Sequence, residues 1–469
     1  MNDVTMMNLA EVAKLVRERK VSPVELVDAC LARTDLLQGE LNAFITLLAD
    51  EARQQAKTAE AEVKTNYKGY LHGIPVALKD LFHIKGVPTT AGSELMVDFI
   101  PDLNATVTQR LLDAGAIIMG TTNTHEWALG PTNEESYFGP SRNPWNSKKI
   151  SGGSSGGSAV AVATGMTYMA MGTDAGGSIN IPSSMCGNVG LKPTNGLASI
   201  YGMLPISFNL DHPGPMTRSV LDAAITMDYI TGTDEKDPCP GRIAAPPTDF
   251  ANDLLGNSGL KGFTIGIPEN FFFDKTVPEV EQLVRKAAQA LKDLGVTVRE
   301  IHIDGLELIP SATGTILACE AAYAHRERFS RYADKYLAGV RARIEKGMHT
   351  SAVEYINALK DRERIKASWA KTMEGLNAVI VPTVPMPAYD IGLWEVELKG
   401  KVEDARTMCG YHTRLANAAG IPALSFSVGF TNDALPVGAM LLGRYRGDGE
   451  LLRIAHEYEK NSPFLYKAY

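Results

Sequence analysis

The sequence predicts an α/β protein built on one large sheet, and three observations support this fold class. From residue 73 onward, short apolar runs that suit buried strands alternate with segments of helical periodicity. Several of the helical segments stop at a glycine, such as Gly115, Gly165 and Gly295. No low-complexity linker or block of like charge divides the 469 residues, so we expect a single domain over 1–469.

The N-terminal region, 1–70, is predicted to be helical. Ser22-Pro23-Val24-Glu25 is a capping box with proline at the first helical position, and apolar residues at helical spacing follow it. A second helix, rich in alanine and glutamate, is predicted from Asp50 to Val63. We therefore expect this region to pack as helices against the remainder of the chain.

Strands and helices alternate through the core region, 71–230, and again after it. The predicted strands are 74–78, 116–119, 168–171, 263–267, 296–303, 378–381, 423–428 and 437–442. The predicted helices are 106–114, 158–164 and 280–294. Residues 305–375 are mostly helical and charged, and we expect them to form a helical substrate-pocket subregion.

Composition and charge limit the classes of partner and compartment. The net charge of −8 without a basic stripe argues against a nucleic-acid or anionic-membrane partner. The five widely spaced cysteines include no C-x-x-C pair, which favours reduced thiols over disulfides or a zinc site. We see neither a signal-peptide pattern nor an apolar run of about 18 residues. The expectation is a cytoplasmic protein without a membrane segment.

Two glycine-serine clusters and one lysine carry the chemistry. The first cluster runs from Ile150 to Ser158, the second from Gly172 to Ser178, and Lys79 ends an apolar run that begins at Gly73. Burial lowers the pKa of a lysine, and its neutral amine can then act as a base for a serine nucleophile. Glycine-rich backbone exposes N–H groups that can hold an oxyanion. These parts suffice to cleave an acyl bond without a metal or cofactor.

The same residues allow other interpretations. A glycine-rich loop before a helix can bind phosphate, but neither a Walker A motif nor G-x-G-x-x-G occurs at the clusters. The clusters also suit a flexible loop, and Lys79 suits a surface lysine that pairs with Asp80 or extends to water. A non-catalytic binding module is a further alternative.

A histidine-dependent α/β-hydrolase is another alternative, because Gly152 to Gly156 also matches G-x-S-x-G. Its candidate histidines are His212, His302, His325, His412 and His456. The pairs His72/His83 and His125/Glu126 match no metal-ligand spacing, so we expect neither a metal nor a cofactor.

Taken together, the motifs resemble the amidase signature family over nearly the whole chain. The resemblance rests on 73–80, 142–145, 152–158, 172–178, 187–194, 211–218, 417–422 and 435–438. It implies the amidase signature fold, a large mixed twisted β-sheet covered by helices on both faces. It also implies hydrolysis of carboxylic amides, with aryl amides, esters or carbamates as further substrate classes.

The resemblance implies a Ser–cis-Ser–Lys triad. In it, Ser178 is the acylated nucleophile, Ser154 is the bridging serine after a cis Gly153–Ser154 bond, and Lys79 is the base. The oxyanion hole falls on the backbone N–H groups of Ala175, Gly176, Gly177 and Ser178. Ser155 is a supporting hydroxyl near the lysine, and Asp174 shapes the loop.

Three positions depart from the pattern of the family or of one of its branches. Asn180 stands where the family usually has an arginine that braces the catalytic loop, so we expect altered hydrogen bonding around Ser178. Ser151 stands where proline is frequent, a change expected to be harmless. The glutaminase A-subunit of tRNA-dependent amidotransferases has an acidic residue for the substrate amino group, and an ungapped count puts Gly410 there.

We therefore favour a free amidase over the glutaminase A-subunit, within a family that also includes fatty acid amide hydrolase. The expected partner is a small-molecule amide substrate, and a homodimer is left open. Trp127, Tyr137, Phe138 and the 305–350 stretch are candidate pocket liners. Cys319 is expected to be a buried inert thiol.

Overall fold

The computed structural model describes residues 3–239 and 248–462. Residues 1–2, 240–247 and 463–469 of the predicted 1–469 domain lie outside this description. The described strands are β1 (Phe44–Leu47), β2 (Pro75–Lys79), β3 (Ile117–Thr122), β4 (Arg142–Asn143), β5 (Asn146–Ile150), β6 (Met169–Asp174), β7 (Val189–Lys192), β8 (His212–Thr217), β9 (Thr264–Pro268), β10 (Thr297–Ile301), β11 (Ala378–Pro382), β12 (Glu395–Leu398), β13 (Lys401–Asp404), β14 (Ala423–Phe430) and β15 (Pro436–Gly443).

The described α-helices surround these strands. They are α1 (Leu9–Arg17), α2 (Pro23–Leu41), α3 (Ala49–Val63), α4 (Thr106–Asp113), α5 (Gly156–Ala163), α6 (Asn180–Cys186), α7 (Val220–Ile230), α8 (Phe250–Gly256), α9 (Pro278–Asp293), α10 (Ile309–Tyr332), α11 (Ala338–His349), α12 (Ala352–Thr372), α13 (Ala405–Cys409), α14 (Arg414–Ala419) and α15 (Asp448–Asn461). None of the helices in the described ranges combines the length and apolar character that a transmembrane span requires.

Eleven of the described strands form one mixed sheet, in the order β1-β3-β2-β6-β8-β7-β14-β15-β11-β9-β10. Strand β2 pairs in parallel with β3 and β6, and β9 pairs in parallel with β10 and β11. Every residue of β2, β3, β6, β11 and β15 is buried. Because successive side chains point to opposite faces, both faces of the sheet are covered, as predicted.

Local sequence signals explain the predicted helix starts. At the start of α2, Glu25 N–H donates to Ser22 Oγ at 3.1 Å, and Ser22 N–H donates to Glu25 Oε2 at 2.7 Å. This is the predicted capping box, with Pro23 at the first helical position where its missing N–H costs nothing. The predicted second helix is also present, as α3.

Three strands of the sheet were not predicted from the sequence: β1, β7 and β8. The N-terminal region, predicted as helical, also contains β1, which pairs antiparallel with β3 at the sheet edge. Strand β8 lies between β6 and β7 although it contains Pro213 and Pro215, which cannot donate to a sheet ladder. Its place is set by pairing on both sides, which local propensity does not reveal.

The sheet brings the three chemical segments of the sequence together. Strand β2 ends at Lys79 and its parallel neighbour β6 ends at Asp174, so both carboxyl ends lie at the same edge. The first glycine-serine cluster leads into α5, and the second leads from β6 into α6. Residues of α10, α11 and α12 form an apolar cluster that includes Ala175 of the second cluster.

Candidate active site

Lys79 and Ser154 are joined by a hydrogen bond inside the protein. Lys79 Nζ donates to Ser154 Oγ at 2.6 Å and to Thr173 Oγ1 at 2.8 Å, and all three residues are buried. Burial lowers the pKa of Lys79 to about 7, because loss of water penalises the ammonium, while the carboxylates of Asp174 and Asp211 act in the opposite direction. Near neutral pH, much of this amine is therefore uncharged and able to accept a proton.

The loop that carries Ser154 has the cis peptide bond expected from the resemblance, between Gly153 and Ser154. Glycine is required before this bond by close packing. A Cβ on Gly153 would lie 2.6 Å from the backbone nitrogen of Asn133 and 2.9 Å from that of Thr132. A larger residue would therefore push the loop away from the lysine.

Ser155 ties the two glycine-serine clusters to each other. Its backbone N–H donates to the carbonyl of Ser178 at 3.3 Å, and its Oγ donates to the carbonyl of Thr173 at 3.2 Å. Thr173 N–H lies 3.3 Å from the same Oγ. The hydroxyl of Ser155 thus fixes the end of β6 beside the Ser154 loop, and in the described part of the chain it makes no hydrogen bond to Lys79.

Ser178 lies at the wall of a cavity of about 370 Å³, together with Ala175 and Gly176. Ser178 is partly exposed, whereas Ser154 and Ser155 are fully buried. Among residues 3–239 and 248–462, no hydrogen bond joins the Ser178 hydroxyl to Ser154. The structure thus pairs the lysine with Ser154 and puts Ser178 on the neighbouring loop, facing space for a substrate.

The carboxylate of Asp174 organises the loop that precedes Ser178. It accepts hydrogen bonds from Gly177 N–H at 2.7 Å, from Ile179 N–H at 2.8 Å and from Asn417 Nδ2 at 2.9 Å. The Gly177 N–H group, one of the four predicted oxyanion donors, therefore points at a carboxylate. Within the described ranges, the N–H groups of the other three predicted donors, Ala175, Gly176 and Ser178, have no acceptor.

Three of the histidines named for the alternative mechanism have Nδ1 atoms close to backbone or tyrosine oxygens, and His212 Nδ1 also lies 3.3 Å from the Asp174 carbonyl. The Nδ1 atoms of His212, His325 and His412 lie 2.6 Å from the Leu210 carbonyl, 3.0 Å from the Tyr336 hydroxyl and 3.0 Å from the Pro382 carbonyl. His302 is exposed beside Asp304, and burial lowers the pKa of His456. These contacts give a histidine-dependent mechanism no support. Among the described residues, no three or more His, Cys, Asp or Glu side chains are grouped to hold a metal.

Only part of the predicted cavity wall is present: the 305–350 stretch lines the cavity, and the predicted aromatic residues do not. Trp127 packs against His325 and Tyr336, and Tyr137 stacks edge-on against Phe138, so none of these predicted aromatic liners faces this cavity. Cys319 is not among the lining residues either, and it is partly exposed rather than buried as expected. The walls are supplied in part by α10 and α11, with Pro310, Leu317, Arg343 and Lys346, and by Gly410 and Arg414 near α14.

Two of the predicted departures from the family pattern, Asn180 and Ser151, lie away from the cavity. Asn180 is fully buried, its Nδ2 lies 3.7 Å from Met440 Sδ, and its Oδ1 has no partner among the described residues. Its side chain therefore does not brace Ser178. Ser151 is also buried, and its hydroxyl donates to the Gly152 carbonyl at 3.0 Å.

Sequence reasoning missed several residues of the site. Thr173 lies inside the second cluster and Asn417 inside the 417–422 motif, so both belong to motifs that the sequence showed, but neither was assigned a role. Arg343 and Lys346 fall in the predicted 305–350 stretch without being singled out there, and Arg414 was not predicted, because only the tertiary fold brings α11 and α14 beside Ser178.

Comparison with known proteins identifies the family of the chain. The amidase family model matches residues 25–452. An amidase from Pseudomonas putida is 38% identical over 466 residues, covering 98% of this chain and 97% of that protein. The A-subunit of glutamyl-tRNA(Gln) amidotransferase from Marinomonas sp. (strain MWYL1) is 36% identical over 481 residues, covering 97% of this chain and 96% of that protein.

Solved structures extend the comparison to the whole fold. A structure described as a vestigial protein complex that reveals the evolutionary origins of an s-triazine catabolic enzyme superposes with a TM-score of 0.92. It is 28% identical to this chain, and the match covers 97% of this chain and 98% of that one. On the family match, the relatives and the fold, the chain belongs to the amidase signature family.

Proposed function

We propose that the protein is an amidase that hydrolyses linear carboxylic amides through an acyl-enzyme on Ser178. The observation that carries this proposal is the hydrogen bond between Lys79 and Ser154, buried beside a cavity that Ser178 lines. A serine hydroxyl becomes an effective nucleophile when a base takes its proton, and the lysine amine is poised to be that base.

In the acylation step, Ser178 Oγ attacks the amide carbon while its proton passes to Ser154 Oγ. The Ser154 proton passes in turn to neutral Lys79 Nζ, which becomes an ammonium. This transfer needs the hydroxyls of Ser178 and Ser154 to come within hydrogen-bond distance when substrate is bound. Catalytic hydrogen bonds often tighten in this way on substrate binding.

Collapse of the tetrahedral intermediate breaks the C–N bond, and the same relay returns the proton to the departing amine. Water then attacks the Ser178 ester and gives up its proton to the relay. The carboxylic acid product leaves, and Ser178 regains its hydroxyl proton. The overall reaction consumes one amide bond and one water molecule, and it releases the amine and the carboxylic acid.

Backbone donors at the second cluster are proposed to hold the oxyanion. Ala175, Gly176 and Ser178 have N–H groups without an acceptor among the described residues, and the first two line the cavity with Ser178. Each such donor is typically worth about 10²- to 10³-fold in turnover. Gly177 N–H would act there only if it left Asp174, so we assign it to loop support.

The finer specificity is also part of the proposal. Esters and carbamates form the same kind of tetrahedral intermediate and are proposed as secondary substrates. The alternative of a glutaminase A-subunit gains less support, because Gly410 lines the cavity and an ungapped count puts it where that branch carries an acid. The cytoplasmic location, the absence of a cofactor and a homodimer remain predictions from the sequence.

Covalent labelling tests the proposed nucleophile directly. A fluorophosphonate is expected to add one phosphonyl group to the wild-type protein, on the peptide that contains Ser178, by intact-mass and peptide mass spectrometry. Ser178→Ala should remain unlabelled and inactive toward aryl amides. Ser151→Ala is the matched control, because its buried hydroxyl only donates to a backbone carbonyl. Full hydrolysis by Ser178→Ala would contradict the proposal.

A further inference from the structure

The cavity beside Ser178 has a cationic wall. Of its described lining residues, three are cations, Arg343, Lys346 and Arg414, and none is an aspartate or glutamate. We propose, building on the proposed amidase function, that the substrate is an amide that carries a carboxylate, bound by the guanidinium groups of Arg414 and Arg343.

The position of Arg414 puts its guanidinium at the catalytic loop. A Cβ built on Gly410 would lie 3.4 Å from Arg414 Nε and 3.7 Å from its Nη2. A Cβ built on Gly176, which belongs to the loop before Ser178, would lie 4.0 Å from Arg414 Cγ. The side chain therefore runs past this loop toward Gly410, within reach of a group attached to a substrate on Ser178.

Arg414 lacks a counter-charge in the protein. Across residues 3–239 and 248–462, its guanidinium makes neither an ion pair nor a hydrogen bond. Burial alone lowers its pKa, with no carboxylate acting against it. An arginine remains charged under these conditions, and a half-buried cation without a partner is unfavourable. A carboxylate on the substrate would supply the missing partner.

Arg343 adds a second unpaired charge. It donates one Nη1 hydrogen bond to the Leu129 carbonyl, which leaves its other donors for a ligand. Two acids act on its charge, Glu135 and, more weakly, Asp404. Glu135 is already bound by Arg406 at 3.2 Å and by Gly339 N–H at 3.0 Å, and Asp404 accepts Thr407 N–H at 2.6 Å. After burial, Arg414 is the next cause that lowers the pKa of Arg343, as expected for two cations held close together.

The same wall disfavours a zwitterionic substrate. A free amino group on the ligand would meet cations and find no carboxylate among the described lining residues. Two guanidinium groups instead suit a single carboxylate, because each can donate parallel N–H bonds to its oxygens. The expected substrates are therefore net anionic amides, such as monoamides of dicarboxylic acids or N-acylated acids.

An alternative role for Arg414 is stabilisation of the oxyanion itself. That role would help charged and neutral amides equally, so it predicts a loss of kcat without a change in substrate preference. If Arg414 binds the substrate carboxylate, its substitution lowers kcat/KM for anionic substrates, mostly by raising KM. The ratio of kcat/KM between neutral substrates then stays the same. The two roles are thus separable by matched substrate pairs.

The experiment compares anionic and neutral amides of equal size. On the acyl side the pair is succinamate and succinamide, and on the amine side it is N-acetylglycinate and N-acetylethanolamine. Ammonia or amine release gives kcat/KM. We expect the wild type to prefer the anionic member of at least one pair by about 10- to 100-fold, the usual worth of a charged hydrogen bond.

Substitutions in the cavity wall then test whether its arginines cause the preference for anionic substrates. Arg414→Gln and Arg343→Gln should each lower the anionic-to-neutral ratio by about 10-fold or more. Gly410→Asp should do the same, because it sets a carboxylate beside Arg414 in space that a Cβ fits. Arg341→Gln is the matched control on the same helix: its side chain is 42% exposed, pairs with Glu345, and its removal should leave the ratio unchanged.

The outcomes separate this inference from the proposed function. Hydrolysis without preference for an anion in either pair, or a preference that Arg414→Gln does not change, overturns the inference and leaves the amidase intact. If no amide is hydrolysed and Ser178 is not labelled, the proposed function fails. Calorimetry with succinate then decides the anion site: saturable binding that Arg414→Gln abolishes supports it, and absence of binding overturns it.

Discussion

The Thr173 hydroxyl lies 2.8 Å from Lys79 Nζ, at the ends of two parallel strands, and accepts a hydrogen bond from it. The lysine is thereby held between two hydroxyls, because Ser154 Oγ lies 2.6 Å away on its other side. An acceptor on the amine orients its hydrogens and favours the ammonium form. We therefore propose Thr173 as a positioning residue for the proposed base; it lies in the second cluster, but the sequence assigned it no role.

Thr173→Val tests this role with nearly constant shape. We expect kcat to fall by about 10-fold, because the amine loses one of its orienting bonds. The pKa of Lys79 should fall further below its already lowered value, so the acidic limb of the pH–rate profile should move to lower pH. A purely structural residue would lower the amount of folded enzyme and leave that limb in place.

Lys79→Met should remove catalysis while filling most of the same buried volume. The expected loss is at least 10²- to 10⁴-fold in kcat/KM, the usual worth of a general base. Lys192→Met is the matched control: Lys192 is also fully buried, but its Nζ donates to the Pro193 carbonyl, away from the cavity. Comparable rates for the two variants, normalised to folded protein by circular dichroism, would contradict the assignment.

The loop before Ser178 should tolerate a methyl group at one glycine and not at the next. Gly177 has a φ of +120°, and a Cβ there would overlap Thr413 Oγ1. Gly177→Ala should therefore lower the melting temperature and the activity, through backbone strain and the clash. At Gly176 the nearest atom is Arg414 Cγ at 4.0 Å, so Gly176→Ala should fold normally. Equal thermal stability of the two variants would argue against this loop geometry.

Much of the fold was predictable because its signals are local. The capping box at Ser22 and the glycine stop at Gly115 appear where the sequence predicts them. Strand β8 was missed because its prolines disfavour a strand, and pairing with both neighbours overrides that preference. Short segments with weak propensity are fixed by the sheet around them.

The site was predictable in part for the same reason. Lys79 and Ser154 come from motifs, and the structure joins them by a hydrogen bond. The sequence indicated that Asp174 shapes the loop before Ser178. Only the structure shows that its carboxylate accepts the Gly177 N–H group, which the sequence had assigned to the oxyanion hole. Arg343 lies in the predicted 305–350 stretch, but its proximity to Arg414, 71 positions further along the chain, follows only from the tertiary fold.

The pH dependence of kcat/KM for a neutral aryl amide tests the central claim most directly, since it reports ionisation of the free enzyme. At pH values below the Lys79 pKa of about 7, the nitrogen is mostly an ammonium and cannot take the proton of Ser154. The account predicts a rate that rises with pH, about tenfold per unit below that value, and then levels off. A profile that stays flat from about pH 5.5 to 9, with the substrate charge constant, would contradict it.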